Sequence, residues 1–196
     1  MECSHKKFKT KTVAKKFFDL SFKTKTSVCL DCGAYLRNNE FEKKYLHWLE
    51  GIYKDRRDKF QTQCYFSKNL IKCAELYLED YPGISTTVFV RALVTIFLNV
   101  IDADEEKSSQ LESLMDSEIY ESFVSDKDRK KINIQFKPIM MLDLIAISEV
   151  IDLKPAAIVE DVVIRLMTMI TSQDERLRSF WESEIKNYLD MFLKAA

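Results

Sequence analysis

This chain is poor in the residues that break helices: three glycines and three prolines in 196 residues leave few tight turns and argue for a helix-rich protein. No apolar run approaches the ~18 residues of a membrane span. Gly-rich phosphate loops, paired histidines and local Ser-His-Asp or Cys-His signatures are all missing. The carboxylates fall on polar helix faces, so no enzyme is expected. No secretory signal precedes Cys3 and the N-terminal run is basic and polar, so an intracellular, cytoplasmic chain is expected. With 46% apolar and 12% aromatic residues, the length suffices for one good core plus a satellite module.

What is present is a pattern written twice. Lys131 to Lys137 (KINIQFK) alternates polar and apolar, the period of a half-buried strand. Pro138 then suits the first turn of a helix. That helix carries Ile139, Leu142, Ala146, Ile147 and Val150 as its expected stripe. After the break Asp152-Leu153-Lys154-Pro155, a second helix carries Val159, Val162, Val163, Leu166, Met167 and Ile170. Moving the last stripe back 69 residues gives Val90, Leu93, Val94, Phe97, Leu98 and Ile101, apolar throughout. The first helix maps at the same offset, Ile139 onto Leu70 and Val150 onto Tyr81. The strand needs 70, placing Ile132, Ile134 and Phe136 over Thr62, Cys64 and Phe66. The extra residue is therefore assigned to the strand-helix junction. Two units that cannot close a core singly can close one together.

The order strand, helix, Gly-containing turn, helix, with Gly83-Ile84-Ser85-Thr86-Thr87-Val88-Phe89-Val90-Arg91-Ala92-Leu93 in copy one, resembles the ribbon-helix-helix (MetJ/Arc-type) family. The resemblance covers residues 60–101 and 131–172. It departs in copy two, where Asp152 stands for Gly83 and Lys154-Pro155 for Ser85-Thr86, which puts that copy's phosphate contact in doubt. The resemblance implies a tandem pseudo-dimer whose two strands pair antiparallel and enter the DNA major groove. The implied base-facing residues are Gln61, Gln63 and Tyr65 in copy one and Lys131, Asn133, Gln135 and Lys137 in copy two. Ser85 and Thr87 would meet a phosphate at a helix N-terminus. It further implies a sequence-specific transcriptional regulator or DNA-organising factor of the kind known from prokaryotes, their viruses and plasmids. Solvation alone also asks for polar residues on an open ribbon face, and Ser or Thr at a helix start is an ordinary N-cap.

At the N-terminus, Cys3-Ser4-His5 and Cys29-Leu30-Asp31-Cys32-Gly33 give a thiolate and imidazole set of the kind a tetrahedral zinc takes. Phe8, Val13, Phe17, Phe18, Leu20 and Phe22 sit between the pairs among Lys and Thr, a composition for short strands. The segment resembles a small zinc ribbon whose metal makes up for a thin core. A disulfide or free thiols are the competing reading. Cys64 and Cys73 fall on apolar repeat positions and read as core. His47, beside Trp48, reads as packing.

Residues 1–60 hold 15 Lys/Arg against 8 Asp/Glu, and residues 61–196 hold 15 against 23. The lysines at 6, 7, 9, 11, 15, 16, 23 and 25 can add nonspecific phosphate contacts, as can Lys54, Arg56, Arg57 and Lys59 before the first strand. Such runs are also usual on solvated faces. An acidic repeat region weighs against strong nucleic-acid binding.

The expected organisation is mainly α with short β. A zinc-ribbon-like module occupies 1–38, and a connecting helix follows at 39–59, opened by Asn39-x-x-Glu42 and striped by Phe41, Tyr45, Trp48, Leu49 and Ile52. Repeat copies at 60–101 and 131–172 flank an acidic helical connector, 102–130, with Leu111, Leu114, Met115, Ile119, Tyr120 and Phe123. A C-terminal amphipathic helix, 173–196, carries Leu177, Phe180, Trp181, Ile185, Tyr188, Leu189 and Phe192, which cap the core or pack on a second chain or other protein. Double-stranded DNA is the expected partner. A zinc-containing protein-interaction adaptor is the competing function.

Overall fold

Alternation of side chains along two stretches far apart in sequence builds the sheet on which the larger half of the chain is assembled. The structure, a computed structural model, describes residues 7–33, 39–101 and 117–195. Cys3, His5 and the connector residues Leu111, Leu114 and Met115 lie outside them. The chain divides into two units, 1–59 and 60–196. Its described residues are mainly helical, with two separate two-stranded antiparallel sheets.

In the first unit, β1 (Phe8–Phe17) pairs with β2 (Leu20–Cys29), from Phe8 opposite Cys29 to Phe17 opposite Leu20. Each strand runs ten residues, longer than the short strands expected. Phe18, in the two-residue turn, takes the left-handed conformation at φ 51 that such hairpins require. Helix α1 (Asn39–Asp55) lays aromatic residues over one face: the Phe22 ring lies 5.9 Å from Phe41, 5.5 Å from Tyr45 and 5.4 Å from Trp48. The Tyr45 hydroxyl donates to the Lys16 carbonyl at 3.3 Å, and the Lys15 ammonium lies 4.7 Å from the Tyr45 ring centre. His47 is not packed: its side chain is 91% exposed, 3.9 Å from Glu50.

In the second unit the expected order recurs as two strand-helix-helix segments. These are β3 (Gln61–Ser67), α2 (Lys68–Tyr77) and α3 (Thr86–Ile101), then β4 (Arg129–Gln135), α5 (Pro138–Ile151) and α6 (Pro155–Thr171). Between them lies α4 (Glu118–Ser125), and α7 (Glu175–Ala195) follows. Ser67 caps α2 by accepting from the Leu70 N–H at 3.2 Å, and Pro138 opens α5. Ten of the 17 residues of α6 are buried, including all six of its expected stripe. It packs on α3, α5 and α7 and on β3. Of the expected α7 stripe, Trp181, Ile185 and Leu189 are buried, and the helix packs on α3 and α6, so it covers the core of its own chain.

The expected stripe of α5 is also corrected. The buried residues of α5 are Pro138, Met140, Met141 and Leu144, whereas Ile139 and Val150 are 53% and 84% exposed. The expected stripe faces outward because the helix is apolar on every side, so periodicity cannot orient it. The buried set of α2 is Leu70, Ile71 and Ala74, which meets Met140, Met141 and Leu144 at an offset of 70. Strand and first helix therefore share one offset, and the extra residue lies between the two helices, not at the strand-helix junction. That turn also explains the exchange of Gly83 for Asp152. Both take positive φ, 96 and 55, and Asp tolerates that region better than most residues.

Candidate nucleic-acid interface

Strand pleating puts Thr62, Cys64 and Phe66 of β3 and Ile132 and Ile134 of β4 on the core side, all buried, followed by buried Phe136. The other face carries the six residues expected there. Register sets Gln61 opposite Gln135, Gln63 opposite Asn133 and Tyr65 opposite Lys131. Gln135 is half-buried and the other five are exposed. At the repeat offset of 70, Gln63 and Asn133 are each other's counterparts, and they are also paired. A local pseudo-two-fold therefore passes through this pair, turning Gln61·Gln135 into Lys131·Tyr65. Lys137 is exposed just past β4, at the cap position of α5.

Donors and acceptors on the face are chemically suited to base edges: amides at four positions, a phenol and an ammonium. One end is bordered by groups that sequence reasoning missed. The Tyr65 N–H donates to the Glu160 carboxylate at 2.6 Å, and Arg129 donates to the carbonyls of Tyr65 at 3.1 Å and Val124 at 3.2 Å. The repeat counterpart of Glu160 is Arg91, so the one available signal was a charge reversal at matched positions. Lys130 lies 3.6 Å from Glu75, and Lys68 lies 3.0 Å from Asp128. Asp126 accepts from the N–H groups of Asp128 at 3.0 Å and Asn69 at 3.2 Å, and these bonds hold its carboxyl below the usual range.

Ser85 is exposed and Thr87 half-buried at the start of α3. The Ser85 hydroxyl accepts from the Val88 N–H at 3.3 Å, the ordinary capping use. The matching start of α6 has Lys154 at its cap position with no side-chain cap bond, and Pro155 follows.

The cysteine pair of the first unit closes β2. Cys29 is buried opposite Phe8, and Cys32 is exposed on the following turn. There Gly33 at φ 74 donates its N–H to the Cys29 carbonyl at 3.1 Å. Leu30 donates to the Lys7 carbonyl at 2.9 Å, fixing Lys7, two residues after His5, beside this turn. No group of three or more potential metal ligands occurs among the described residues. The other half of the expected set, Cys3 and His5, lies outside them.

Seven lysines line residues 7–29 against one acid, Asp19, which binds Lys59 at 2.7 Å. Lys16, Lys23 and Lys25 share one hairpin face with Thr10 and Thr12, all exposed. Arg57 lies 5.8 Å from the Tyr53 ring centre, and Arg56 is 3.8 Å from Asp58.

Cys64 belongs to the core, its thiol 3.9 Å from the Ala156 carbonyl. Burial, and then the nearby Glu160 charge, push it up to about 12, so it stays protonated at neutral pH. Burial also raises the half-buried Cys73 thiol. Cys64 is therefore expected to resist iodoacetamide in native protein and to react fully in denaturant. Mass-spectrometric mapping of alkylated peptides checks this, and native labelling at Cys64 would contradict its place in the core.

No helix among the described residues is long and apolar enough to cross a membrane. No protein-family model, no curated protein and no solved structure matches the chain.

Proposed function

We propose that residues 60–172 form a tandem ribbon-helix-helix pseudo-dimer that binds double-stranded DNA sequence-specifically, as a transcriptional regulator or DNA-organising factor. The observation that carries this reading is the largely exposed polar face of the β3·β4 ribbon, six side chains in three cross-strand pairs about a pseudo-two-fold. A two-stranded ribbon fits the major groove, and Asn133, Gln63, Gln61 and Gln135 can each offer a donor and an acceptor to one adenine edge. Lys131 suits guanine. The halves differ, so the preferred site is asymmetric. Ser85 and Thr87 would steady one flank at a phosphate. The Glu160 carboxylate, bound to the Tyr65 N–H, would repel phosphate at that end of the ribbon. The hairpin lysines would supply salt-dependent, sequence-independent affinity.

The first unit would hold a structural zinc through Cys3, His5, Cys29 and Cys32. The donor types suit it, and the Cys29–Gly33 turn beside Lys7 is compatible with a four-ligand set. A bound metal would supply the stabilisation that a thin core lacks. A second reading, a protein-interaction adaptor, is favoured by one observation, the exposed apolar side of α5.

Selection of bound duplexes from a random pool tests the ribbon. Wild type is expected to enrich a defined motif. Gln63→Ala/Asn133→Ala is expected to lose that preference while keeping residual nonspecific affinity, each lost bidentate contact being worth about 1–3 kcal/mol. Unchanged enrichment by the variant would rule out the ribbon as reader, and no enrichment by wild type would move the assignment to the adaptor.

A further inference from the structure

We propose that the cleft between the end of α2 and the first half of α7 is a binding site for a small organic monocation, an alkylammonium group held beside Asp80 among stacked aromatic rings. The cleft has a volume of about 420 Å³. Tyr77, Asp80 and Tyr81 line it on the α2 side, and Ser179, Glu182 and Ser183 line it from α7. None of these residues belongs to the ribbon face. The volume falls at the lower end of the about 300–1,000 Å³ usual for small-molecule sites, so the ligand is small.

The aromatic wall is a stacked series. The Tyr77 ring centre lies 5.8 Å from that of Tyr81, with the planes 17° apart, and 5.3 Å from that of buried Phe89, with the planes 23° apart. The faces of such rings attract an ammonium group that comes within about 6 Å of their centres. The Tyr77 and Tyr81 hydroxyls are hydrogen-bonded to each other. Burial above all, and then Tyr81, Glu182 and Asp80, push the Tyr77 hydroxyl up, so it stays neutral at pH 7. Burial also raises Tyr81, with Asp190, Asp80 and Glu182 adding to it against the Tyr77 hydrogen bond.

Charge selects the sign of the ligand. Three carboxylates, Asp80, Glu182 and Asp190, act on the Tyr81 hydroxyl. Arg178 answers Glu182 at 3.6 Å. Lys186, which also lines the cleft, stands one helical turn from both Glu182 and Asp190. Three negative charges against two positive leave one over, and Asp80 has no ion-pair partner among the described residues. A single ammonium group balances that charge, and the Ser179 and Ser183 hydroxyls can accept its N–H groups. The fold does not require this arrangement. At the repeat offset of 70, Tyr77 and Asp80 correspond to Ile147 and Val150, so the matching place in the second copy carries neither ring nor acid.

The test is a titration of the full chain with butylammonium chloride, followed by two-dimensional amide NMR. Amide signals of residues 77–81 and 179–186 should move saturably, whereas butanol and sodium chloride at the same concentrations should leave them in place. Asp80→Asn/Glu182→Gln should weaken binding about tenfold or more. Glu79→Gln removes a neighbouring exposed charge that does not line the cleft and should leave affinity unchanged. The spectra of the variants themselves establish that each folds. Equal shifts with butanol or sodium chloride, shifts that do not saturate or that centre elsewhere, or full affinity in the double variant would each overturn the proposal. So would an equal loss with Glu79→Gln, since the effect would then be one of net charge.

Discussion

Replacing Trp181 by alanine is expected to remove about 3–5 kcal/mol of stability from the second unit. Trp181 is fully buried, its ring edge-on to Phe180 with centroids 5.2 Å apart, on the helix that closes over α3 and α6. Against a typical domain stability of about 5–15 kcal/mol, that loss leaves a marginal fold. Trp181→Phe should behave quite differently. The indole N–H is buried without a hydrogen-bond partner among the described residues, and phenylalanine keeps most of the apolar volume while removing that unsatisfied donor. The two effects oppose each other, and a net change within about 1 kcal/mol is expected. Urea denaturation of the three proteins checks both statements. A loss below about 1 kcal/mol for Trp181→Ala would mean that α7 rests on the core without completing it.

For the proposed zinc site, removal of the metal is expected to unfold the first unit and spare the second. Elemental analysis of protein purified without chelator should find one zinc per chain, and Cys32→Ser should lower that occupancy. Structural zinc in small domains contributes about 10–16 kcal/mol of apparent binding free energy at neutral pH, more than a unit of this size gains from its core. The two tryptophans report separately, Trp48 from the aromatic cluster around Phe22 and Trp181 from the second core. In single-tryptophan variants made with phenylalanine, a strong chelator should shift Trp48 emission to the red and leave Trp181 emission unchanged. Metal-free protein with an intact Trp48 signal would leave Cys29 and Cys32 without a metal role.

The ribbon was legible in the sequence because strand period and burial pattern coincide: alternate residues from Lys131 to Lys137 point to opposite sides, and both faces came out as read. Helix α6 was legible for a related reason, its stripe being wide and its repeat counterpart apolar throughout. Helix α5 was not. Met140, Met141, Leu142, Leu144 and Ile145 follow one another with a single acid among them, so several rotations fit equally well and the sequence alone favoured the wrong one. Contacts such as Glu160 with Tyr65 join residues 95 positions apart and leave no local pattern. Only the comparison of the two copies, acid in one and arginine in the other, marks that site. The proposed four-ligand set was read from spacing alone, and the structure describes only its Cys29 and Cys32 half.

Strand β3 finds its neighbour in β4 of the same polypeptide, which fixes the stoichiometry of the two halves at one to one. Dilution cannot separate them, and neither half can exchange for a copy of itself. Each can therefore accumulate changes that a symmetric pair of identical subunits would be forced to bear twice. Arg91 opposite Glu160, and a solvated α2 opposite an apolar α5, are differences of that kind, so covalent linkage gives the molecule a front and a back.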